Sequence, residues 1–105
     1  MRISSHMLES DCVDLTYSDC PKRSGAIDGP DTIIIHYTGG TSARSSADWL
    51  CRSGVQASAH IIIDRADGTV FQLVPLDTVA WHAGKSAYTF PDGTERVGFN
   101  RFSIG

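Results

Sequence analysis

Three consecutive isoleucines run into a histidine and then into paired glycines: Ile33-Ile34-Ile35-His36-Tyr37-Thr38-Gly39-Gly40. No other stretch constrains this chain as much. β-Branched side chains are restricted at χ1 and pack well on a pleated surface, so the run predicts a buried strand. Asp28-Gly29-Pro30 before it and Gly39-Gly40 after it are turn chemistry and bound the strand at both ends. On a two-residue period Thr32, Ile34 and His36 share one face, while Ile33, Ile35 and Tyr37 share the other. His36 is then expected at the carboxyl end of a central strand, where sheet proteins open their ligand sites. Tyr37, on the opposite face, reads as packing. A histidine so placed is either a core imidazole with one hydrogen bond or part of a site, and one imidazole alone makes no metal centre.

The chain has 105 residues, enough for one small core and not for two. Its hydrophobic share of 41% argues against disorder, and a net charge of −3 from scattered charges carries no nucleic-acid or membrane-surface footprint. No apolar run reaches the length of a membrane span. The three cysteines are Cys12, Cys20 and Cys51. Cys12 and Cys20 could pair across a short loop, and an odd count does not decide the redox compartment. Met1 to Met7 lacks the apolar core of a signal peptide, which favours a cytoplasmic or phage-delivered protein over a secreted one. His6 reads as a solvated tail residue.

Val13, Leu15 and Tyr17 alternate, as in a short edge strand, and Cys20 to Gly25 reads as loop with Lys22 and Arg23 solvated. Thr41-Ser42 offers N-cap oxygens, and Ala43, Ala47, Leu50 and Cys51 then recur on one helical face. The spacing predicts a helix over Ala43 to Ser53, with Gly54 as its C-terminal cap, Leu50 and Cys51 buried, and Trp49 packed at the margin. Ser58 to Asp64 and Thr69 to Val74 are β runs separated by Asp67-Gly68, a hairpin signal, and Pro75 stops the second. His60 shares a face with Ile62 and Asp64. Asp77 to Ser86 has no period and sets Trp81, His82 and Lys85 among small residues, as in a loop that walls a cleft. Phe90 to Thr94 reads as a turn, and Val97 to Gly105 begins a further β-like run.

Four of these stretches stand in the order of one family. Ile-Ile-Ile-His36-Tyr-Thr, Ser-Ala-His60-Ile-Ile-Ile-Asp-Arg-Ala-Asp-Gly-Thr-Val, Ala-Trp-His82-Ala-Gly-Lys-Ser and Phe-Asn-Arg-Phe-Ser-Ile-Gly together resemble the zinc-dependent N-acetylmuramoyl-L-alanine amidases. That group includes phage-lysozyme-type amidases and peptidoglycan recognition proteins. The likeness implies an α/β fold, a mixed central β-sheet flanked by helices, with residues 1–30 as an N-terminal extension and loop and 31–105 as the amidase-like domain. It implies peptidoglycan or muropeptide as partner and cleavage of the amide between N-acetylmuramic acid and L-alanine. Zinc would be the cofactor, with three protein ligands and a water whose pKa falls to about 7.

By the same likeness His36 matches the first zinc ligand, and Trp81, His82, Ala83 and Asn100 belong to the wall of the substrate groove. His60 matches a mostly structural position, and Ala59 stands where some members carry a catalytic tyrosine. The general base and the other two zinc ligands are expected beyond Gly105. A helix that should cover one sheet face is expected there too, so an uncovered sheet is expected to promote self-association. On this reading the 105 residues do not catalyse alone. The alternative is a non-catalytic muropeptide-binding module carried by Trp81 to Ser86. A site that places His36, His60 and His82 on one metal is a third reading, and the family's geometry does not support it.

Overall fold

The computed structural model describes residues 1–11, 14–27 and 29–105. In order the chain forms β1 (Arg2–Ser4), β2 (Met7–Glu9), β3 (Leu15–Tyr17), β4 (Arg23–Ala26), β5 (Thr32–Ile33), α1 (Ala43–Leu50), β6 (Ile61–Ile63) and β7 (Val70–Gln72). It continues through β8 (Thr78–Ala80), β9 (Ala87–Thr89), β10 (Glu95–Val97), a 3-10 turn (Phe99–Arg101) and β11 (Ser103–Ile104). The class is mixed α/β, with one α-helix among the described residues.

The Asp67-Gly68 turn makes its hairpin. β6 pairs antiparallel with β7 in the register Ile61 to Gln72 and Ile63 to Val70. Gly68 takes φ +76°, which a residue without Cβ adopts freely. β3 adds to the other side of β7 in parallel, so the Leu15-to-Tyr17 alternation is a strand, while Cys12 and Val13 lie outside the described residues. The core gathers Cys20, Ala43, Ala47, Ile62, Phe71, Leu73, Val74 and Ala80.

Helix α1 starts where the cap chemistry predicts. The Ser42 side chain accepts from the Ser45 amide, and Ser45 reciprocates to the Ser42 amide as a capping box. Asp64, just past β6, accepts from the Ala43 amide at 2.9 Å, and this bond, with the one from the Ala66 amide, holds the half-buried carboxyl below its usual pKa. Small residues at 43 and 47 let the helix lie close on β6 and β7. The helix ends at Leu50 rather than Ser53, because Cys51 becomes the C-cap and the chain turns with Arg52 bonded back to Trp49. The ammonium of Lys22 donates to the Arg52 carbonyl and is buried there, so it is not a solvated cation. Leu50 and Cys51 pack against the core while half-buried, and Trp49 is 51% exposed rather than packed.

Cys20 and Cys51 are free, and burial, then contact with Cys20, pushes the Cys51 thiol up to about 11. Little thiolate then exists near neutrality. In a Cys12→Ser background at pH 8, Cys51 should react with an aromatic disulfide reagent about tenfold or more slower than free cysteine because of its thiolate fraction, and Cys20 should react slowly because it is fully buried. Urea should restore the rate; equal rates in folded and unfolded protein would contradict the assignment.

Several expectations are corrected. Residues 2–9 form the β1–β2 hairpin, and the His6 carbonyl accepts from Gln72 Nε2 and from the Leu76 amide, so this stretch is tied to the core although its side chains are largely exposed. Arg23–Ala26 is a strand, paired antiparallel with Thr78–Ala80, so neither Cys20-to-Gly25 nor Asp77-to-Ser86 is wholly loop. Both segments lack apolar alternation because their order comes from each other.

The central run is a strand only at Thr32–Ile33, in parallel register with Ser103–Ile104. The ladder ends with the Ile34 amide donating to the Ile104 carbonyl. Past that bond no strand pairs with residues 35–38 among the described residues. Ile35 and Tyr37 are 92% and 94% exposed, which overturns both the buried strand and the packing role of Tyr37. The two-residue period itself holds as far as Ile34, with Thr32 and Ile34 turned inward and Ile33 outward. The Gly105 carbonyl accepts from the His60 and Ile61 amides and ties β11 to the three-stranded sheet. No helix among the described residues is long and apolar enough to cross a membrane.

Candidate functional site

The extended chain after β5 carries His36, exposed, to within reach of His82. His36 Nε2 lies 3.1 Å from His82 Nδ1, and the rings meet edge to face with centroids 5.4 Å apart. His82 sits two residues beyond β8 and is held from two directions. Its backbone amide and that of Ala83 both donate to Asn100 Oδ1, at 3.1 and 2.7 Å. Its ring Nε2 faces Ser103, 3.1 Å from Oγ and 3.4 Å from the carbonyl oxygen. Ser103 Oγ also donates to the Phe99 carbonyl. The 3-10 turn and β11 therefore fix the histidine-bearing segment.

His60 stands behind His82, with ring centroids 5.7 Å apart. It is fully buried. Its Nε2–H donates to the Thr78 carbonyl at 2.8 Å, and its Nδ1 accepts from the Gly105 amide at 3.2 Å. Both ring nitrogens are thus engaged, and His60 is a core histidine rather than a ligand. Burial holds its pKa below the ordinary value of 6.5 against those two hydrogen bonds. Burial, with the neighbouring His60 and His36, pushes His82 down to about 4, so the ring is neutral near pH 7.

The sign of the His60 shift sets a pH dependence. A histidine harder to protonate folded than unfolded contributes stability that is complete above about pH 6.5 and is lost as pH falls below it. Urea midpoints should therefore drop from pH 7.5 to pH 5.5, and His60→Gln should lessen that slope, the remainder coming from His82, whose shift has the same sign. An unchanged slope in the variant would assign the loss to other groups.

The predicted groove residues divide. Trp81 and Asn100 line a cavity of about 530 Å3 together with Ser24, Ala26, Val79 and Arg101. Trp81 is oriented by its indole N–H, which donates to Ser24 Oγ at 2.7 Å. His82 turns instead to His36, and Ala83 contributes its amide to Asn100. Sequence reasoning missed Ser24, Arg101 and Ser103. Ser103 lies inside the Ser-Ile-Gly motif, whose serine carries the signal; nothing local marks Ser24 or Arg101.

Among the described residues no group of three His, Cys, Asp or Glu side chains could hold a metal ion. His36 fits zinc by donor chemistry, as one exposed neutral-type nitrogen ligand, and the described residues do not complete the set.

A family profile described as N-acetylmuramoyl-L-alanine amidase matches residues 27–105. The 1,6-anhydro-N-acetylmuramyl-L-alanine amidase AmpD of Citrobacter freundii is 51% identical over 51 residues, which are 49% of this chain and 24% of that protein. The N-acetylmuramoyl-L-alanine amidase CwlH of Bacillus subtilis is 33% identical over 87 residues, 79% of this chain and 31% of that protein. A crystal structure of a selenomethionine AmpD derivative superposes with a TM-score of 0.68 at 24% identity, covering all of this chain and 64% of the other. The fold is thus shared, and the matched stretches span about a quarter to a third of the curated relatives' lengths.

Proposed function

Because the chain belongs to the N-acetylmuramoyl-L-alanine amidase family, we propose that it serves hydrolysis of the amide joining N-acetylmuramic acid to the L-alanine of a peptidoglycan stem peptide. The observation that carries this reading is His36, exposed inside the matched region and steadied by His82. His36 is the zinc ligand of this chain, and zinc when bound supplies a polarised water and a Lewis acid for the scissile carbonyl. Asn100 fixes the backbone of His82 and Ala83, and Trp81 with Val79 gives the groove an apolar wall.

Within a protein that supplies the remaining ligands and a base, these residues should support release of free stem peptide from soluble muropeptide, and His36→Ala or a chelator should abolish it; the 105 residues alone should release none. Binding without cleavage is the second reading, favoured by the absence of a three-ligand group among the described residues. Co-sedimentation with insoluble peptidoglycan separates the two. A binder stays bound after His36→Ala and chelation and releases nothing; a chain that neither binds nor cleaves contradicts both.

A further inference from the structure

We propose that the cavity between β4 and the 3-10 turn is a carboxylate-binding subsite, and that Arg101 is the residue by which it selects a stem peptide bearing a free carboxylate. The inference rests on the amidase reading and names the part of the substrate that this cavity takes.

Two elements frame the space. β4 is bulged between Ser24 and Ala26, so Gly25 has no partner on β8. A bulge bends its strand and re-aims the neighbouring side chains. No atom lies within 4 Å of where a Gly25 Cβ would stand, so bare backbone faces open space there. Across from it the 3-10 turn brings Asn100 and Arg101 to the same cavity, and Trp81 and Val79 supply its apolar wall. A volume of about 530 Å3 is enough to enclose a short stretch of peptide.

The side-chain polar groups left over in this cavity are donors. Asn100 Oδ1 accepts from the His82 and Ala83 amides, which fixes the orientation of the side-chain amide, since the reverse would set its NH2 against two N–H groups. The Nδ2 hydrogens are thereby turned away from that segment, and no described residue accepts them. Ser24 Oγ accepts from the Trp81 indole N–H, a group that can only donate, so the Ser24 hydroxyl proton is left for another acceptor. The Arg101 guanidinium is exposed and pairs with no carboxylate among the described residues, whereas Arg23 and Arg96 are paired with Asp19 and Asp31. No acidic residue lines the cavity to neutralise it.

Donors without acceptors, set beside an apolar wall, suit a ligand group that only accepts. A carboxylate is the peptide group of that kind: its two oxygens offer about four lone-pair sites and match the planar fork of a guanidinium. A carboxamide presents one oxygen and brings two donors of its own, which would meet the donors already there. Hydrogen bonds between ionised partners are also roughly twice as strong as neutral ones, so the charge on Arg101 separates the acid from its amide.

Titration calorimetry on the whole chain tests this, with tryptophan emission as the reporter of the site. Trp49→Phe is the background, because the chain has two tryptophans and Trp81 is then the only one. The probes are an N-acetylmuramoyl tripeptide with free carboxylates, the same compound fully amidated, and the free tripeptide without the sugar. The acid should perturb Trp81 emission and bind about tenfold or more tighter than the amidated form. Arg101→Gln should remove that preference and leave the affinity for the amidated form unchanged, and Arg101→Lys should restore part of it. Gly25→Leu should fill the open floor and weaken both forms. The urea midpoint of each Arg101 variant should match the background, because the side chain is exposed and unpaired.

Equal affinity for acid and amidated forms, or an acid preference that survives Arg101→Gln, would overturn the subsite, while binding of the muramoyl compound would leave the amidase reading standing. Binding of the free tripeptide that depends on Arg101 and gains nothing from the muramoyl group would support the subsite and count against the amidase reading. No binding of any of the three probes would overturn the subsite.

Discussion

Truncating Leu73 to alanine lowers the unfolding free energy by about 2–5 kcal/mol, the range for removing a large aliphatic side chain from a close-packed core. Leu73 is fully buried and belongs to the central cluster with Phe71, Val74 and Ile62. Its backbone also joins two parts of the molecule: its amide donates to the His60 carbonyl at 2.8 Å, and its carbonyl accepts from the Cys20 amide at 3.1 Å. Those bonds survive the substitution, so the loss reports the side chain. A domain of this length holds roughly 5–15 kcal/mol in all, which makes the effect a large fraction of the total. Urea unfolding followed by tryptophan fluorescence checks it. The midpoint should fall with the slope preserved. A change under about 1 kcal/mol would mean that the surrounding core collapses into the space.

Asn100→Leu is the second large effect, and it acts on the site. The substitution preserves approximate size and removes the one oxygen that serves the His82 and Ala83 amides. A buried amide left without an acceptor costs about 1–3 kcal/mol, so the pair should cost about 2–4 kcal/mol given that both are part-buried. The expected signature is local. Amide hydrogen exchange at 82 and 83 should quicken, while the amides of β6 and β7 remain protected. Asn100→Asp keeps the acceptor and should stay within about 1 kcal/mol of the wild type. Stability and exchange both unchanged would show that water or another oxygen replaces Asn100.

What was legible in the sequence was local. Asp67-Gly68 between two β-rich runs forms its hairpin because the turn geometry is satisfied within a few residues. Ser42 caps α1 because its partner is three residues away. The four motifs identify the family because their order survives whatever the chain does in space. The illegible parts depend on distant partners. Arg23–Ala26 is a strand only because Thr78–Ala80 lies beside it, and neither segment alternates. Lys22 looks solvated in sequence, yet it is buried at the end of α1, thirty residues on, where the Arg52 carbonyl needs a donor.

The sequence by itself determined the hairpin, the start of the helix, the family and the candidacy of His36, since each rests on a short-range pattern of residue types. Only the tertiary structure decided how far the Ile33-to-Tyr37 run remains a strand, because a ladder ends where its neighbour's hydrogen bonds end. It also separated three histidines that look alike in one dimension. Burial and two bonded nitrogens make His60 structural, Ser103 and Asn100 hold His82 in place, and exposure sets His36 apart from both. Those roles follow from which partners surround each ring, and spacing along the chain does not encode them.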